Sequence, residues 1–373
     1  MIRAIKLFFA AALFVTATAR AESVLEGLRR HTTITSTVTE NGDLNPYAVV
    51  VAPISAGKIK KGDILVDNFN NQSNLQGTGT TIVIINRTNK SVSLFAKLPQ
   101  NFSQCPGGIG LTAAMTMLSS GWVIVGSTPS TDGTTATKGA GCLLVFDPNG
   151  NLTTVWKGSR INGPWGNMAV IDKGSTASLF ISMSGFDVPG PDKVDAATGD
   201  PVVVKKAIVL RVDLAISPGQ PPKVVGQTVV ASGFGERADK DAFLIGPTGL
   251  ALIGNTLYVS DAVENRIVAI LDAPTRKDSA GTGRTVTKDG LLQRPLALAV
   301  TYNGHILVTN AKNGQVVEFD PIAGKQLGAK WINTNQAQSP PGSGNLFGLA
   351  MGPDGRSFYS VQDDVNTLLE VAP

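Results

Sequence analysis

The apolar and polar positions of this chain alternate in short runs rich in Val, Ile, Leu and Thr, the pattern of buried and half-buried β-strands. No stretch beyond the N-terminus keeps a helical period. The runs come in recurring sets. The clearest is Gly246-Pro247-Thr248-Gly249-Leu250-Ala251, then Thr256-Leu257-Tyr258-Val259-Ser260-Asp261, then Asn265-Arg266-Ile267-Val268-Ala269-Ile270. It returns as Arg294-Pro295-Leu296-Ala297-Leu298-Ala299-Val300, His305-Ile306-Leu307-Val308-Thr309-Asn310 and Gln315-Val316-Val317-Glu318-Phe319-Asp320. A period of about 50 residues made of such runs predicts an array of small sheets. Four more copies can be followed, at 45–51, 62–68 and 80–85; at 110–115, 122–127 and 142–147; at 163–170, 179–183 and 207–213; and at 345–351, 357–361 and 367–371. Asn149-Gly150, Asn303-Gly304, Asn313-Gly314 and Pro353-Asp354-Gly355 mark turns, because these residues accept positive φ or preset a bend. Four strands per copy around a channel make an all-β, six-bladed β-propeller, which manages its strand edges by radial repetition.

The sixth copy stops after three runs. The β-prone stretch 32–39, just ahead of the first copy, is the expected donor of the missing outer strand, so that an N-terminal strand closes the last blade. Further upstream, Arg3 and Lys6 precede an apolar core from Leu7 to Ala17 and the small-residue signature Ala19-Arg20-Ala21. This reads as a signal peptide over 1–21, with Glu22 the mature start; the apolar run is shorter than the roughly 20 residues of a membrane-spanning helix. Residues 22–373 are then one propeller domain, secreted or periplasmic. A single domain of this size is reasonable because each blade packs only on its neighbours.

An oxidising compartment changes the reading of the two cysteines. Cys105 and Cys142 both belong to the second copy and are expected to form a disulfide, the alternative being buried free thiols. The formal net charge of +4 is spread along the chain without a Lys/Arg block or a basic–aromatic stripe, so no nucleic-acid partner is expected. No segment of the mature chain is suited to cross a membrane, and a monomer is expected. Phosphate-loop, nucleophile-elbow, Cys–His and zinc signatures are absent from the sequence.

The phrase Gly246-Pro247-Thr248-Gly249-Leu250-Ala251 … Leu257-Tyr258-Val259-Ser260-Asp261 … Asn265-Arg266-Ile267 resembles the NHL repeat, and Gly233-Phe234-Gly235 looks like that repeat's glycine-rich lead-in. The stretch from Asn345 to Ser360 is similar to both NHL and SMP-30/gluconolactonase-like propellers. The resemblance covers most of the mature chain at the level of fold. It leaves function open, because such propellers include lactonases, lyases and interaction scaffolds.

Strand order sorts residues by face. The segment entering each copy and the loop after its second strand share one mouth of the channel, the upper face. That face holds Asn45, Asp67, Asn68, Asn162, Asp261, Arg294, Asn310 and Asn345. The three longest loops after a second strand, 68–79, 127–141 and 184–206, would cover it on one side. His31 and His305 fall on the lower face, which argues against a histidine zinc site or a histidine base. Asn68, Asp261 and Asn310 share one position in three copies and, with Asn345, form a candidate oxygen-rich ring suited to Ca²⁺ or Mg²⁺. Against this, the SMP-30-like pattern places a glutamate before Gly-Pro, where this chain has Asn162-Gly163-Pro164, and an Asp or Asn after a strand commonly bonds its own turn. Arg294 either binds an anionic ligand group or packs across a blade seam. Asn68, Asp261, Arg294, Asn310 and Asn345 are therefore the candidate ligand-binding residues. Two functions follow: a binding or interaction scaffold that takes a small molecule or a protein at the upper face and central channel, or a divalent-metal-assisted lactonase- or lyase-like enzyme.

Overall fold

A computed structural model describes residues 23–373; the signal-peptide expectation over 1–21 lies outside the described residues. Six antiparallel sheets stand around a central axis. Blade 1 is Leu44–Val51, Ile64–Asn70, Thr81–Ile85 and Val92–Lys97. Blade 2 is Leu111–Met117, Val123–Ser127, Cys142–Phe146 and Leu152–Trp156. Blade 3 has Pro164–Asp172, Thr176–Met183, Val204–Ala215 and the long outer strand Lys223–Asp239, which turns back into Phe243–Ile245. Blades 4 and 5 start at Pro247–Ile253 and Pro295–Val300. Blade 6 has Leu346–Met351, Phe358–Gln362 and Thr367–Ala372.

The fourth strand of blade 6 is Arg30–Ser36, paired antiparallel with Thr367–Ala372 from Arg30↔Ala372 to Ser36↔Thr367. The N-terminal strand thus closes the last blade. Ahead of it, the helical turn Val24–Gly27 is strapped to blade 5. The buried Glu318 carboxylate accepts from Ser23 Oγ (2.6 Å), Val24 N (3.1 Å) and Leu25 N (3.0 Å), and its Oε1 lies 2.6 Å from His305 Nδ1. His305 is on the lower face as expected, but it is buried structure rather than a bystander.

The repeated phrase has a physical meaning. Each inner strand carries a register shift at the same place, between Pro46 and Val49, Leu111 and Met115, Trp165 and Ala169, Pro247 and Leu250, Pro295 and Leu298, and Leu346 and Leu349. These bulges bend the strand at the channel wall and bring neighbouring blades close. Gly166, at φ +73°, lies where a Cβ would sit 1.9 Å from Thr248 O, so only glycine fits. Hydroxyls stitch the seams. Thr128 Oγ1 donates to Pro164 O, Ser184 Oγ to Pro247 O, Ser260 Oγ to Leu296 O and Thr309 Oγ1 to Phe347 O, at 3.1, 2.8, 2.6 and 3.0 Å. Blade 1 has Asp67 at the position of Ser260 and Thr309. Its Oδ1 accepts from Ala48 N at 2.9 Å, while Oδ2 is buried without a partner. Burial pushes its pKa up to about 8; the neutral acid can donate, as the hydroxyls do.

Cys105 and Cys142 form a disulfide, with 5.4 Å between their Cα atoms. Gly233 to Gly235 stand upstream of blade 4. They lie within the 17-residue outer strand of blade 3, which continues to the channel. No helix among the described residues is long and apolar enough to cross a membrane.

Candidate functional site

The upper half of the channel is filled. Tyr47 stacks on Phe347 (ring centroids 4.0 Å apart) and on Phe69 (4.4 Å), with Trp165 edge-on to both Tyr47 and Phe69. The fifth ring comes from the blade 3 hairpin, where Arg237↔Ile245 and Asp239↔Phe243 pairing carries Phe243 to within 5.4 Å of Phe69. A ligand therefore meets a floor of aromatic rings, not an open channel. Four of the rings would be found by aligning the copies: Tyr47, Trp165 and Phe347 each follow the residue that opens their blade, and Phe69 ends a second strand. The hairpin has no counterpart in the other copies.

Above this floor lies a cavity of about 390 Å³ between the hairpin tip and blades 5 and 6, lined by Asp241, Arg294, Lys312, Asn345, Phe347 and Asp363 among others. Two of the five candidate residues, Arg294 and Asn345, meet here. Arg294 holds a left-handed backbone (φ +60°), which a branched or bulky chain adopts only when its surroundings impose it. Asn265 does so by accepting the Arg294 N–H at 2.8 Å, and Asn366 holds Asn45 in the same way at 2.7 Å. Arg294 Nη1 lies 3.1 Å from Asp239 Oδ2, which also receives Arg237 Nη1 at 3.1 Å. Burial works to raise the Asp239 pKa, but Arg294, the Ala242 and Asp241 N–H groups and Arg237 hold it below the usual carboxylate range. Asn345 donates through Nδ2 to Asn333 Oδ1 and Gln338 Oε1, at 3.4 and 3.3 Å.

Asp363 was not singled out by the sequence. It follows the end of the second strand of blade 6, where blades 4 and 5 have Ala262 and Ala311, so the copy alignment marks it as the odd residue at a channel-facing position. Its N–H donates to Asn345 O at 3.0 Å. Burial, then the neighbouring Asp364, pushes its carboxyl up to about 7.

The other three candidates do not line this cavity. Asn68 Nδ2 donates to Thr37 O at 2.9 Å, joining the closing segment to blade 1. Asp261 accepts from Arg266 Nε at 2.9 Å and from Glu264 N at 3.3 Å. Asn310 accepts from Gln293 N and donates to Leu291 O, each at 3.0 Å. All three are buried: Asp261 braces its own loop, Asn310 the segment entering blade 5, and Asn68 the closing segment. Among the described residues no three His, Cys, Asp or Glu side chains form a metal-binding group. The oxygens that do face the cavity share it with Arg294 and Lys312, whose charge opposes a divalent cation. The donor set thus fits Ca²⁺ or Mg²⁺ poorly.

The long loops do cover the upper face on the side of blades 1–3. Gln76 Nε2 donates to Lys240 O at the hairpin tip (2.9 Å), and Thr135 Oγ1 donates to Pro189 O (2.9 Å), tying the second and third loops together.

No protein-family description matches the chain, and no curated protein matches it in sequence. Solved structures do match in fold. A gluconolactonase from Xanthomonas campestris is 12% identical, with a TM-score of 0.56 over 92% of this chain and 89% of its own. A streptogramin B lyase is 12% identical, with a TM-score of 0.50 over 94% and 99%. A calcium-binding regucalcin from Agrobacterium tumefaciens is 14% identical, with a TM-score of 0.52 over 92% of each chain. At these identities the likeness is one of fold alone.

Proposed function

We propose that this is an extracytoplasmic binding propeller of NHL-like repeat type that captures a small, anionic, polyhydroxylated ligand at its upper mouth. The observation that carries the reading is the cavity above the aromatic floor, where Arg294 and Lys312 supply positive charge and Asn345 and Asp363 supply polar groups. An arginine presents a planar fork to a carboxylate or phosphate, and the Phe347 ring that lines the cavity suits the apolar face of a sugar-like carbon skeleton. The signal-peptide reading and the disulfide support the location.

The test is calorimetric titration with gluconate as probe. Arg294→Ala should weaken binding on the order of tenfold to a hundredfold, because a hydrogen bond to a charged group contributes about 1.5–3 kcal/mol. Asn345→Ala should weaken it less, and exposed Lys61→Ala not at all. Asp363 gives a pH signature. Its negative charge forms as pH rises through about 7, so the anion should bind several-fold more tightly at pH 6 than at pH 8, and Asp363→Asn should erase the difference. An affinity that ignores Arg294 sinks the proposal.

A second reading is favoured by the same carboxyl. A group titrating near 7 beside a cavity suits general acid–base work, and a gluconolactonase and a streptogramin B lyase share this fold. Hydrolysis of a sugar lactone that is abolished by Asp363→Asn, with binding retained, would move the assignment from scaffold to enzyme. Because the cavity fits a divalent ion poorly, no metal-assisted step is derived.

A further inference from the structure

On the other side of the upper face, the loops after the second strands of blades 2 and 3 enclose two ionisable groups that the mouth cavity does not use. Lys138 follows the turn Thr135–Thr137, and its Nζ donates to Gly139 O at 3.0 Å and to Asn162 Oδ1 at 2.9 Å. That leaves one ammonium donor unspent. Asn162 Oδ1 is fixed by the close packing of Gly163 on Gly185, where a Cβ on Gly185 would come within 2.7 Å of it. Facing them is Glu236, fully buried on the long outer strand of blade 3. Its Oε2 accepts from Phe186 N at 3.2 Å, and its Oε1 is buried with no hydrogen-bond partner.

The two side chains sense each other's charge, yet no contact within 4.0 Å joins them among the described residues. A structural ion pair would have closed that gap. A buried polar atom without a partner calls for an explanation, a catalytic role among them. The exposed Asp187–Lys206 ion pair stands beside them.

We propose that Lys138 and Glu236 form a second reactive centre, one that condenses with the carbonyl group of an aldehyde or ketone. The Nζ lone pair forms a C–N bond, and the carbonyl π pair moves to oxygen. A proton passes from nitrogen to that oxygen, giving a carbinolamine. The protonated Glu236 then donates to the hydroxyl, which leaves as water. The product is a protonated imine beside the Glu236 carboxylate, with no oxidant or reductant required.

The electrostatics agree with this geometry. Burial pushes Lys138 down to about 8 against the opposing pull of Glu236 and Asp187. Burial pushes Glu236 up to about 8 despite the Phe186 N–H and the Lys138 charge, with Asp187 raising it and Lys206 lowering it. Near neutral pH the site therefore offers free amine next to protonated acid, the combination that condensation needs. At pH 7 about a tenth of such a lysine is free amine, against a few parts in ten thousand for an exposed one.

The test treats the full chain with glycolaldehyde and cyanoborohydride and maps the modified lysines by peptide mass spectrometry. Lys138 should react at least about tenfold faster than exposed Lys61 at pH 7. Its rate should pass through a maximum near pH 8 and fall as Glu236 loses its proton, whereas Lys61 continues to gain toward pH 10. Glu236→Gln should slow Lys138 labelling on the order of tenfold or more at pH 7, and Arg294→Ala should leave it unchanged, separating this centre from the mouth. The wild-type pH profile needs no variant, so it decides the matter even where the Glu236 change harms folding. Lys138 labelling no faster than Lys61, or a Glu236→Gln rate equal to wild type, overturns the proposal.

Discussion

The two ends of the channel are built by the same six inner strands and have opposite characters. The lower end is a cavity of about 350 Å³ lined mostly by aliphatic side chains, among them Val51, Met115, Val170, Leu252, Val300 and Met351. Its central polar side chain, Asn167, is fully engaged: Nδ2 donates to Leu250 O (2.8 Å) and Leu298 O (3.1 Å), and Oδ1 accepts from Leu298 N (3.0 Å). Lower-face polarity is thus spent on the fold, including the buried Glu318 that holds the N-terminal turn. The upper end presents Arg294, Lys312, Asn345 and Asp363 to a cavity, with donors and acceptors left for a ligand. The upper end also holds buried polar atoms without partners, Asn45 Oδ1, Asp67 Oδ2 and Asn68 Oδ1 among them.

That contrast can be broken by stability measurements on the two ends. The largest effect is expected from deleting residues 22–40. Loss of the closing strand exposes the edge and packing face of blade 6, so the melting temperature should fall by about 10 °C or more; an unchanged melt would show that closure contributes nothing. Next comes Glu318→Ala, which strands Ser23, two backbone N–H groups and His305. It should cost about 2–4 kcal/mol in urea unfolding, whereas Asn345→Ala at the upper mouth should stay within about 1 kcal/mol. Equal costs at the two ends would erase the distinction. For the same reason His305→Ala is a stability variant and no control for ligand binding.

The third effect is a pH dependence. Asp67 has a folded pKa of about 8, well above its unfolded value, so the native state holds a proton that the unfolded chain releases. The stabilisation is fully present below about pH 4 and is lost as pH rises through about 8. Asp67→Ser, which installs the hydroxyl used in blade 4, should flatten the decline in stability between pH 5 and pH 8. A slope that survives the substitution would assign it to other groups, Asp363 and Glu236 first.

The blades, the closing strand, the disulfide and the placement of His31 and His305 on the lower face were all legible in the sequence, because each follows from a local pattern or its periodic repetition. The closing strand runs from Arg30 to Ser36, slightly earlier than the 32–39 expected, since pairing stops where Thr37 turns toward Asn68. Two features escaped. The aromatic floor joins Tyr47 to Phe347, residues from opposite ends of the chain, and only aligning the copies by the residue that opens each blade would have shown it. The Arg237–Ile245 hairpin has no counterpart in the other copies, so the period gave no sign of it. Candidate residues chosen for shared position, Asn68, Asp261 and Asn310, lie outside the mouth cavity and bond to neighbouring segments of the fold. Asp363, which departs from the Ala262 and Ala311 of blades 4 and 5, faces the cavity together with Arg294 and Asn345.

The closing strand also gives the ring a direction of mechanical weakness. Because Arg30 lies opposite Ala372 and Arg30 Nε donates to Pro373 O at 2.7 Å, the two chain ends leave the sheet at the same edge. Tension applied between the termini would load the hydrogen bonds of this ladder one after another, as a zipper opens, instead of sharing the load across all of them in shear. The strap from Ser23 to Glu318 lies ahead of that zipper and must release before the tension reaches it. A propeller tethered by both ends would yield first at blade 6, while one held by a single end keeps its seam unloaded.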